Sequence, residues 1–220
     1  MIIGISGKMQ SGKDTVACII QAIDYMTKYG DKPILRSYYQ DYLKEAKSWK
    51  IHHFADPVRE VVALMTGMPA ELLKRNRYKR TSAGHHWNFM TYRELLQKVG
   101  TDAIRDNVHE NAWVNALMQK YDSRHKWIIA DCRFENEAEA IKKEGGVVIR
   151  VERQNEQTNS HISETALDGW QFDAYILNTH TIEYLIDRIA TFLLNFKLIP
   201  PKTFKESYVK SVIQIVNDVH

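Results

Sequence analysis

The chain has 220 residues and a mass of 25.7 kDa, with 44% hydrophobic and 26% charged residues. That is an ordinary composition for one soluble domain with insertions. A formal charge of +3 argues against a dedicated nucleic-acid binder, and no segment approaches the ~20 apolar residues of a membrane helix. Cys18 and Cys132 form no C-x-x-C pair, which argues against a zinc site or disulfide framework and suits a reducing, cytoplasmic setting.

The first predicted strand, Ile2 to Ser6, is too short for a signal peptide. It runs straight into Gly7-Lys8-Met9-Gln10-Ser11-Gly12-Lys13-Asp14-Thr15. Two glycines five apart with lysine at once after the second is the spacing of a phosphate-cradling loop. The glycines let backbone N–H groups turn toward phosphate oxygens, and Lys13 reaches the outer phosphates. A helix follows with Val16, Ile19, Ile20 and Ile23 at i, i+3, i+4 and i+7, its positive N-terminal end aimed at the anion. Asp14 stands where a Ser or Thr hydroxyl usually ligates magnesium. A carboxylate there orients a hydrated magnesium ion or simply complements the helix N-terminus. The departure points toward small kinases rather than GTPases or motor ATPases.

The stretch Thr27 to Lys50 is polar and aromatic, with no local structure assigned. A second strand is expected at Ile51 to Phe54, then a helix with Asp56 at N-cap and Pro57 at N1, continued by Val58, Val61, Val62 and Met65. Gly67 to Asn88 reads as an irregular basic insertion. Its run Lys74 to Arg80 suits a solvated surface or a phosphorylated ligand. Thr91 and Glu94 form a T-x-x-E capping box for a helix ending near Gly100, and further helix runs to about Tyr121. Strands are expected at Trp127 to Asp131, Val147 to Val151 and Ala174 to Leu177. A helix carrying Ala138 and Ile141 and closed by Gly145-Gly146 lies between the first two. A long helix carries Ile182, Leu185, Ile186, Ile189 and Leu193. After Pro200-Pro201, a tail helix sets Val209, Val212, Val216 and Val219 on one face, as if to dock a partner or a second copy.

Alternating strands and helices imply an α/β fold with a parallel sheet covered on both faces. The expected architecture is a three-layer phosphate-loop kinase domain over 1–199, with five parallel strands. Its substrate-side insertions lie at about 27–50 and 67–125, its lid at about 153–170, and a helical tail covers 200–220. Asp131 ends a buried strand, where parallel sheets place ligand-facing residues, and Arg133 emerges two residues on. An Asp–Arg pair capping the next helix is the plainer alternative. Arg93 and Gln97 share one helix face. Arg59, in the first turn of its helix, opposes the macrodipole and needs a compensating anion. Trp113 is core or a stacking platform. Arg150 and Arg153 precede a polar segment, Gln154 to Ser160, that suits a closing lid. The pairs His52-His53 and His85-His86 do not read as metal sites, because adjacent residues on a strand point to opposite faces.

With these pieces assembled, the chain resembles the bacteriophage deoxynucleoside monophosphate kinase family from Met1 to about Phe196. The resemblance rests on Ser6-Gly7 through Gly12-Lys13-Asp14-Thr15, Ala55-Asp56-Pro57-Val58-Arg59, and Arg93 with Leu96-Gln97. Gly100-Thr101-Asp102, Trp113-Val114 and Asp131 with Arg133 add to it. So do Val148-Ile149 with Val151 and Arg153, His161-Ile162 with Glu164, and Asn178. The resemblance implies transfer of the ATP γ-phosphoryl group to a deoxynucleoside monophosphate in the cytoplasm of a host cell.

It also implies roles for individual residues. Gly7, Lys8, Ser11, Gly12, Lys13, Asp14 and Thr15 would hold ATP, with Asn178 and Thr179 near its adenine. Asp131, with Asp14, would hold magnesium. Lys13, Arg133 and Arg153 would stabilise charge on the transferring group. Arg59, Arg93, Gln97, Asp102, Trp113 and Glu164 would surround the acceptor. The family usually continues Asn-Asp-Gly where this chain has Asn178-Thr179-His180. The rival readings are another small-molecule phosphate-loop kinase, such as one acting on dephospho-coenzyme A, and a non-catalytic nucleotide-binding interaction protein. No membrane or nucleic-acid partner is expected.

Overall fold

A computed structural model describes residues 1–30, 36–153, 165–201 and 204–219. The chain forms two compact units: Met1–His52 with Asp122–His220, and His53–Tyr121. The larger unit is built on five parallel strands in the order β2-β3-β1-β4-β5. They are β1 (Ile2–Ser6), β2 (Trp49–His52), β3 (Lys126–Ile129), β4 (Val147–Glu152) and β5 (Ala174–Leu177). In the centre, Ile3 pairs with Ile128 on one side and Ile5 with Ile149 on the other. All five residues of β1 are buried, as a strand covered on both faces requires.

The period of two along β1 sorts its side chains between two layers. Ile3 and Ile5 enter the main core with α1 (Lys13–Tyr29). Gly4 turns the other way, where Ile141 of α7 (Glu135–Lys143) crowds it. The main core also takes in α2 (Arg36–Lys44), α8 (Ile182–Asn195) and α9 (Tyr208–Val219). The expected three-layer α/β fold with five parallel strands is the one formed.

The tail helix α9 packs on α1 and α8, burying Tyr208, Val212, Ile215 and Val216 in the main core. Of the expected valine face, Val212 and Val216 are therefore buried inside this unit and Val209 packs against the same core, while the Val219 side chain lies outside the described residues. Covered on that side as well, α1 is buried from Val16 to Met26, far beyond the stripe Val16, Ile19, Ile20 and Ile23. Two polar side chains caught in this burial are bonded. Gln21 Nε2 donates to Trp49 O at 2.7 Å, and Asp24 accepts from Tyr42 Oη at 2.8 Å and Lys126 Nζ at 2.9 Å. The stretch 27–50 thus contains the end of α1, α2 and the start of β2, fastened by these bonds.

The smaller unit is helical: α3 (Asp56–Thr66), α4 (Asn76–Lys79), α5 (Tyr92–Gln97) and α6 (Ala112–Met118). Its own core joins Val58, Val62, Leu73, Tyr92, Leu95 and Val99. The capping box is as expected, with Thr91 Oγ1 accepting from Glu94 N at 3.2 Å and Glu94 Oε2 accepting from Thr91 N at 2.7 Å. Several boundaries differ from those expected. The α5 path does not stop near Gly100 but widens into π-helical turns over Lys98–Arg105. The second strand ends at His52 rather than Phe54, because Asp56 Oδ2 accepts the His53 N–H at 3.0 Å and turns the chain out of the sheet. With its carboxylate so engaged, Asp56 becomes the first residue of α3, and Ala55 takes the N-cap position expected for Asp56.

Candidate phosphate-binding site

Every strand of the sheet is parallel, so the segments following β1, β3, β4 and β5 all leave at the same carboxyl edge. After β1 comes the glycine loop. Gly7 (φ 145°), Gln10 (φ 66°) and Gly12 (φ 99°) lie in the positive-φ region, and Ser11 N closes the turn onto Lys8 O at 3.2 Å. A side chain at Gly7 would start 2.5 Å from Val151 O, and one at Gly12 would start 2.5 Å from Asn178 Nδ2. Only glycine fits at either position. Gln10 holds the left-handed conformation at a cost of about 1–2 kcal/mol, a strain of the kind that gathers at functional loops.

Lys13 opens α1 and folds back over the loop, its ammonium donating to Gly7 O at 2.6 Å and Lys8 O at 2.7 Å. That cation is buried against backbone carbonyls. The Ser11 hydroxyl is fully buried and has no hydrogen-bond partner among the described residues. A buried hydroxyl without a partner costs stability unless a ligand completes it. A concave loop holding one ammonium and one open hydroxyl at a helix N-terminus suits a phosphate group. Asp14 is exposed in the first turn of α1, and Thr15 is half-buried beside it. Burial, aided by the Asp14 charge, pushes the Cys18 thiol up to about 11.

Asp131 does not end β3, which stops at Ile129; it lies in the following turn, half-buried. The next residue, Cys132, donates its N–H to Ile5 O at 3.1 Å, so the turn runs alongside the end of β1 where the glycine loop begins. Arg133 follows, half-buried. At the start of α7, buried Glu137 accepts from Arg133 N at 2.7 Å and Phe134 N at 3.1 Å. Beyond β4, Arg153 Nη1 donates to Gln10 O at 3.4 Å, at the crest of the loop. Arg150 turns elsewhere, donating to Asp168 Oδ1 at 2.7 Å and packing over Phe172. Beyond β5, Asn178 Nδ2 donates to Ser11 O at 2.9 Å. Thr179 Oγ1 pairs with His180 Nδ1 at 2.7 Å.

Within the smaller unit, Arg59 is almost fully buried and its Nη1 donates to Asp56 Oδ1 at 2.6 Å. The anion expected to compensate this arginine is thus supplied within its own helix turn. Burial pushes the Asp56 carboxyl up, but His53, Arg59 and Lys74 together outweigh it and hold the group well below the usual carboxylate range. Arg93 and Gln97 are exposed on α5, and Arg93 Nη2 donates to Asn76 Oδ1 at 3.3 Å. Asp102 is exposed on the π-helical turns. Trp113 is half-buried against the small core, with its indole N–H on Gly100 O at 2.7 Å. The basic run is mostly exposed, with Lys74 paired to Glu71 at 2.9 Å. Glu164 and the lid residues 154–164 lie outside the described residues. Among the described residues no cluster of three or more His, Cys, Asp or Glu could hold a metal ion.

The sequence profile of the deoxynucleotide monophosphate kinase family matches residues 68–189. The chain belongs to the deoxynucleotide monophosphate kinase family. It is similar to a putative deoxynucleotide monophosphate kinase of Acanthamoeba polyphaga mimivirus, at 26% identity over 208 residues, spanning 87% of this chain and 95% of that protein. It is also similar to the deoxynucleotide monophosphate kinases of Enterobacteria phage T4, at 32% identity, and Escherichia phage RB69, at 29%. Each of these matches covers 107 residues, 46% of this chain and 44% of the phage protein.

The family profile begins at Met68, downstream of the glycine loop, so loop geometry and family membership are independent observations. Within the larger unit, the residues expected at the phosphates, at magnesium and at the adenine leave the sheet at one edge: Lys13 and its loop, Arg133 and Arg153, Asp131, and Asn178. Within the smaller unit, Arg93 and Gln97 share an exposed face, Arg59 is buried on Asp56, and the Trp113 indole is bonded to Gly100 O. The anchoring part that Asp56 plays for Arg59 is hidden in the sequence, where Asp-Pro reads as a helix cap. The i, i+3 spacing of Asp56 and Arg59 is the signal that carries it.

Proposed function

We propose that this family member transfers the γ-phosphoryl group of ATP to a deoxynucleoside 5'-monophosphate, giving ADP and a deoxynucleoside diphosphate. The observation that carries the reading is the glycine loop, closed over by the buried Lys13 ammonium at the carboxyl edge of the sheet. Gly7, Lys8, Ser11, Gly12, Lys13 and Thr15 hold the triphosphate, and the open Ser11 hydroxyl completes its bonding on a phosphate oxygen. Arg59, Arg93, Gln97, Asp102, Trp113 and Glu164 serve the acceptor.

An oxygen of the acceptor phosphate attacks the γ-phosphorus, and the bond to the β–γ bridging oxygen breaks, leaving that oxygen on ADP. Phosphate monoesters have a second pKa near ~6, so the attacking oxygen is largely ionised at neutral pH and no general base is needed. The protein aligns the two groups and neutralises charge. Lys13, Arg133 and Arg153 are the cations for that task. Magnesium, when bound, would supply charge neutralisation at the phosphates. Asp131 and Asp14 suit it, since magnesium takes one or two carboxylates together with substrate phosphates rather than an all-protein cage.

An ADP-release assay with each of the four deoxynucleoside monophosphates, the corresponding ribonucleotides and dephospho-coenzyme A tests the reading. Release stimulated by at least one deoxynucleoside monophosphate, and not by dephospho-coenzyme A, is expected. Release stimulated by dephospho-coenzyme A alone, or by no acceptor, would reject it.

A further inference from the structure

We infer that Asn178 is a positioning residue of the glycine loop rather than a reader of the nucleotide base. The inference rests on the proposed function, in which that loop holds the triphosphate. Asn178 is fixed at its backbone first: its N–H donates to Glu152 O at 2.7 Å, tying the end of β5 to the end of β4. From there its side chain crosses to the loop, where Nδ2 donates to Ser11 O at 2.9 Å. The same nitrogen fills the space that any side chain at Gly12 would need, 2.5 Å from its first carbon.

The consequence lies in the Ser11–Gly12 peptide. A trans peptide is planar, with its C=O and N–H pointing in opposite directions, and among the described residues no peptide bond is cis. Holding Ser11 O toward Asn178 therefore directs the Gly12 N–H the other way, away from that strut. Among the described residues no acceptor takes this N–H. Asn178 thus sets the direction of one donor of the phosphate cradle, immediately before the lysine. The residues after it turn away from this task, since Thr179 bonds His180, whose ring packs on Tyr184 of α8. That pattern accounts for a chain that keeps Asn178 while Thr179-His180 departs from the family's usual continuation.

The test uses the full chain with Asn178→Ala and with Asn178→Asp, which keeps the shape but cannot donate to a carbonyl. Affinities for ATP, GTP and inorganic tripolyphosphate are measured by calorimetry, and KM for the acceptor by ADP release. Losing one such hydrogen bond is expected to weaken all three polyphosphates alike, by about 3- to 10-fold. The ATP-to-GTP ratio and the acceptor KM should stay within about 2-fold of wild type. Aspartate should fail as alanine does. A fall in ATP affinity with tripolyphosphate unchanged, or a shifted ATP-to-GTP ratio, would identify a base reader and overturn the inference. So would unchanged affinities, aspartate rescuing alanine, or a parallel loss of acceptor binding or of folding. If the wild-type protein itself binds neither ATP nor tripolyphosphate, the proposed function fails instead.

Discussion

Replacing Lys13 by methionine separates two contributions of the same side chain. In the structure its ammonium makes two bonds to backbone carbonyls, with Gly7 O and Lys8 O. Charge-assisted hydrogen bonds contribute roughly 1.5–3 kcal/mol each. Burying the ammonium costs several kcal/mol, and methionine fills a similar volume without that cost. The two effects largely offset, so the net loss of stability is about 1–2 kcal/mol, or roughly 2–8 °C in melting temperature for a chain of this size. Catalysis has no such offset. An ammonium about 3 Å from a phosphate oxygen, at an effective dielectric of about 20, is worth about 5 kcal/mol, which is roughly 10³- to 10⁴-fold in rate. The assay pairs thermal unfolding with ADP release at saturating ATP and acceptor. Lys13→Met should stay folded and lose at least ~10³-fold in turnover. A folded variant retaining more than about a tenth of wild-type turnover would refute the reasoning, because no offset inside the loop could hide a loss of that size.

Deleting residues 200–220 should unfold the larger unit. Tyr208, Val212, Ile215 and Val216 are buried in the main core, and at roughly 1.5–3 kcal/mol each their loss rivals a whole domain's stability of about 5–15 kcal/mol; a truncated chain melting within about 2 °C of the intact one would contradict this packing. Asp56→Asn should destabilise the smaller unit by about 2–4 kcal/mol, since it leaves the buried Arg59 guanidinium without its carboxylate; an unchanged melting temperature would count against it. The folded pKa of Asp56 is depressed, so its contribution is complete above the ordinary carboxylate pKa of about 3.9 and is lost as pH falls through the folded value. Wild-type stability should therefore drop on acidification below about pH 4, and Asp56→Asn should flatten that drop; equal acid slopes would reject the assignment. Arg133→Ala and Arg153→Ala should each lower turnover by about 10³-fold with little change in melting temperature; full activity in either would remove it from the catalytic cations.

Much of this was legible in the sequence, and the reason differs from residue to residue. The span Ile2 to Ser6 and the spacing from Gly7 to Lys13 are local signals, since a buried central strand and a tight phosphate loop each dictate their own residue types. Thr91 and Glu94 likewise announce a helix start through bonds three residues apart. What the sequence hid depends on distant partners. Cys18, Gln21 and Asp24 lie off the apolar stripe of α1, and their burial depends on distant elements: Gln21 bonds Trp49 of β2, Asp24 bonds Tyr42 of α2 and Lys126 of β3, and α9, about 190 residues later, packs along the same helix. β2 ends two residues before the sequence predicts because the Asp56 carboxylate accepts the His53 N–H, a bond that the Asp-Pro cap signal does not announce. Gly100 looked like a stop, yet the π-helical turns pass through it, held in part by the Trp113 indole on its carbonyl. Asn178 could be placed near a nucleotide from family likeness, but its bond to Ser11 links residues 167 apart and leaves no local trace.

The most direct measurement of the central claim follows the phosphoryl group itself. ATP labelled at the γ-phosphate is incubated with the protein, magnesium and a deoxynucleoside monophosphate, and the products are separated. The account predicts that the label appears in the terminal phosphate of the deoxynucleoside diphosphate, in equal amount to the ADP formed. Label found only in inorganic phosphate, or remaining wholly in ATP with every acceptor tried, would contradict it.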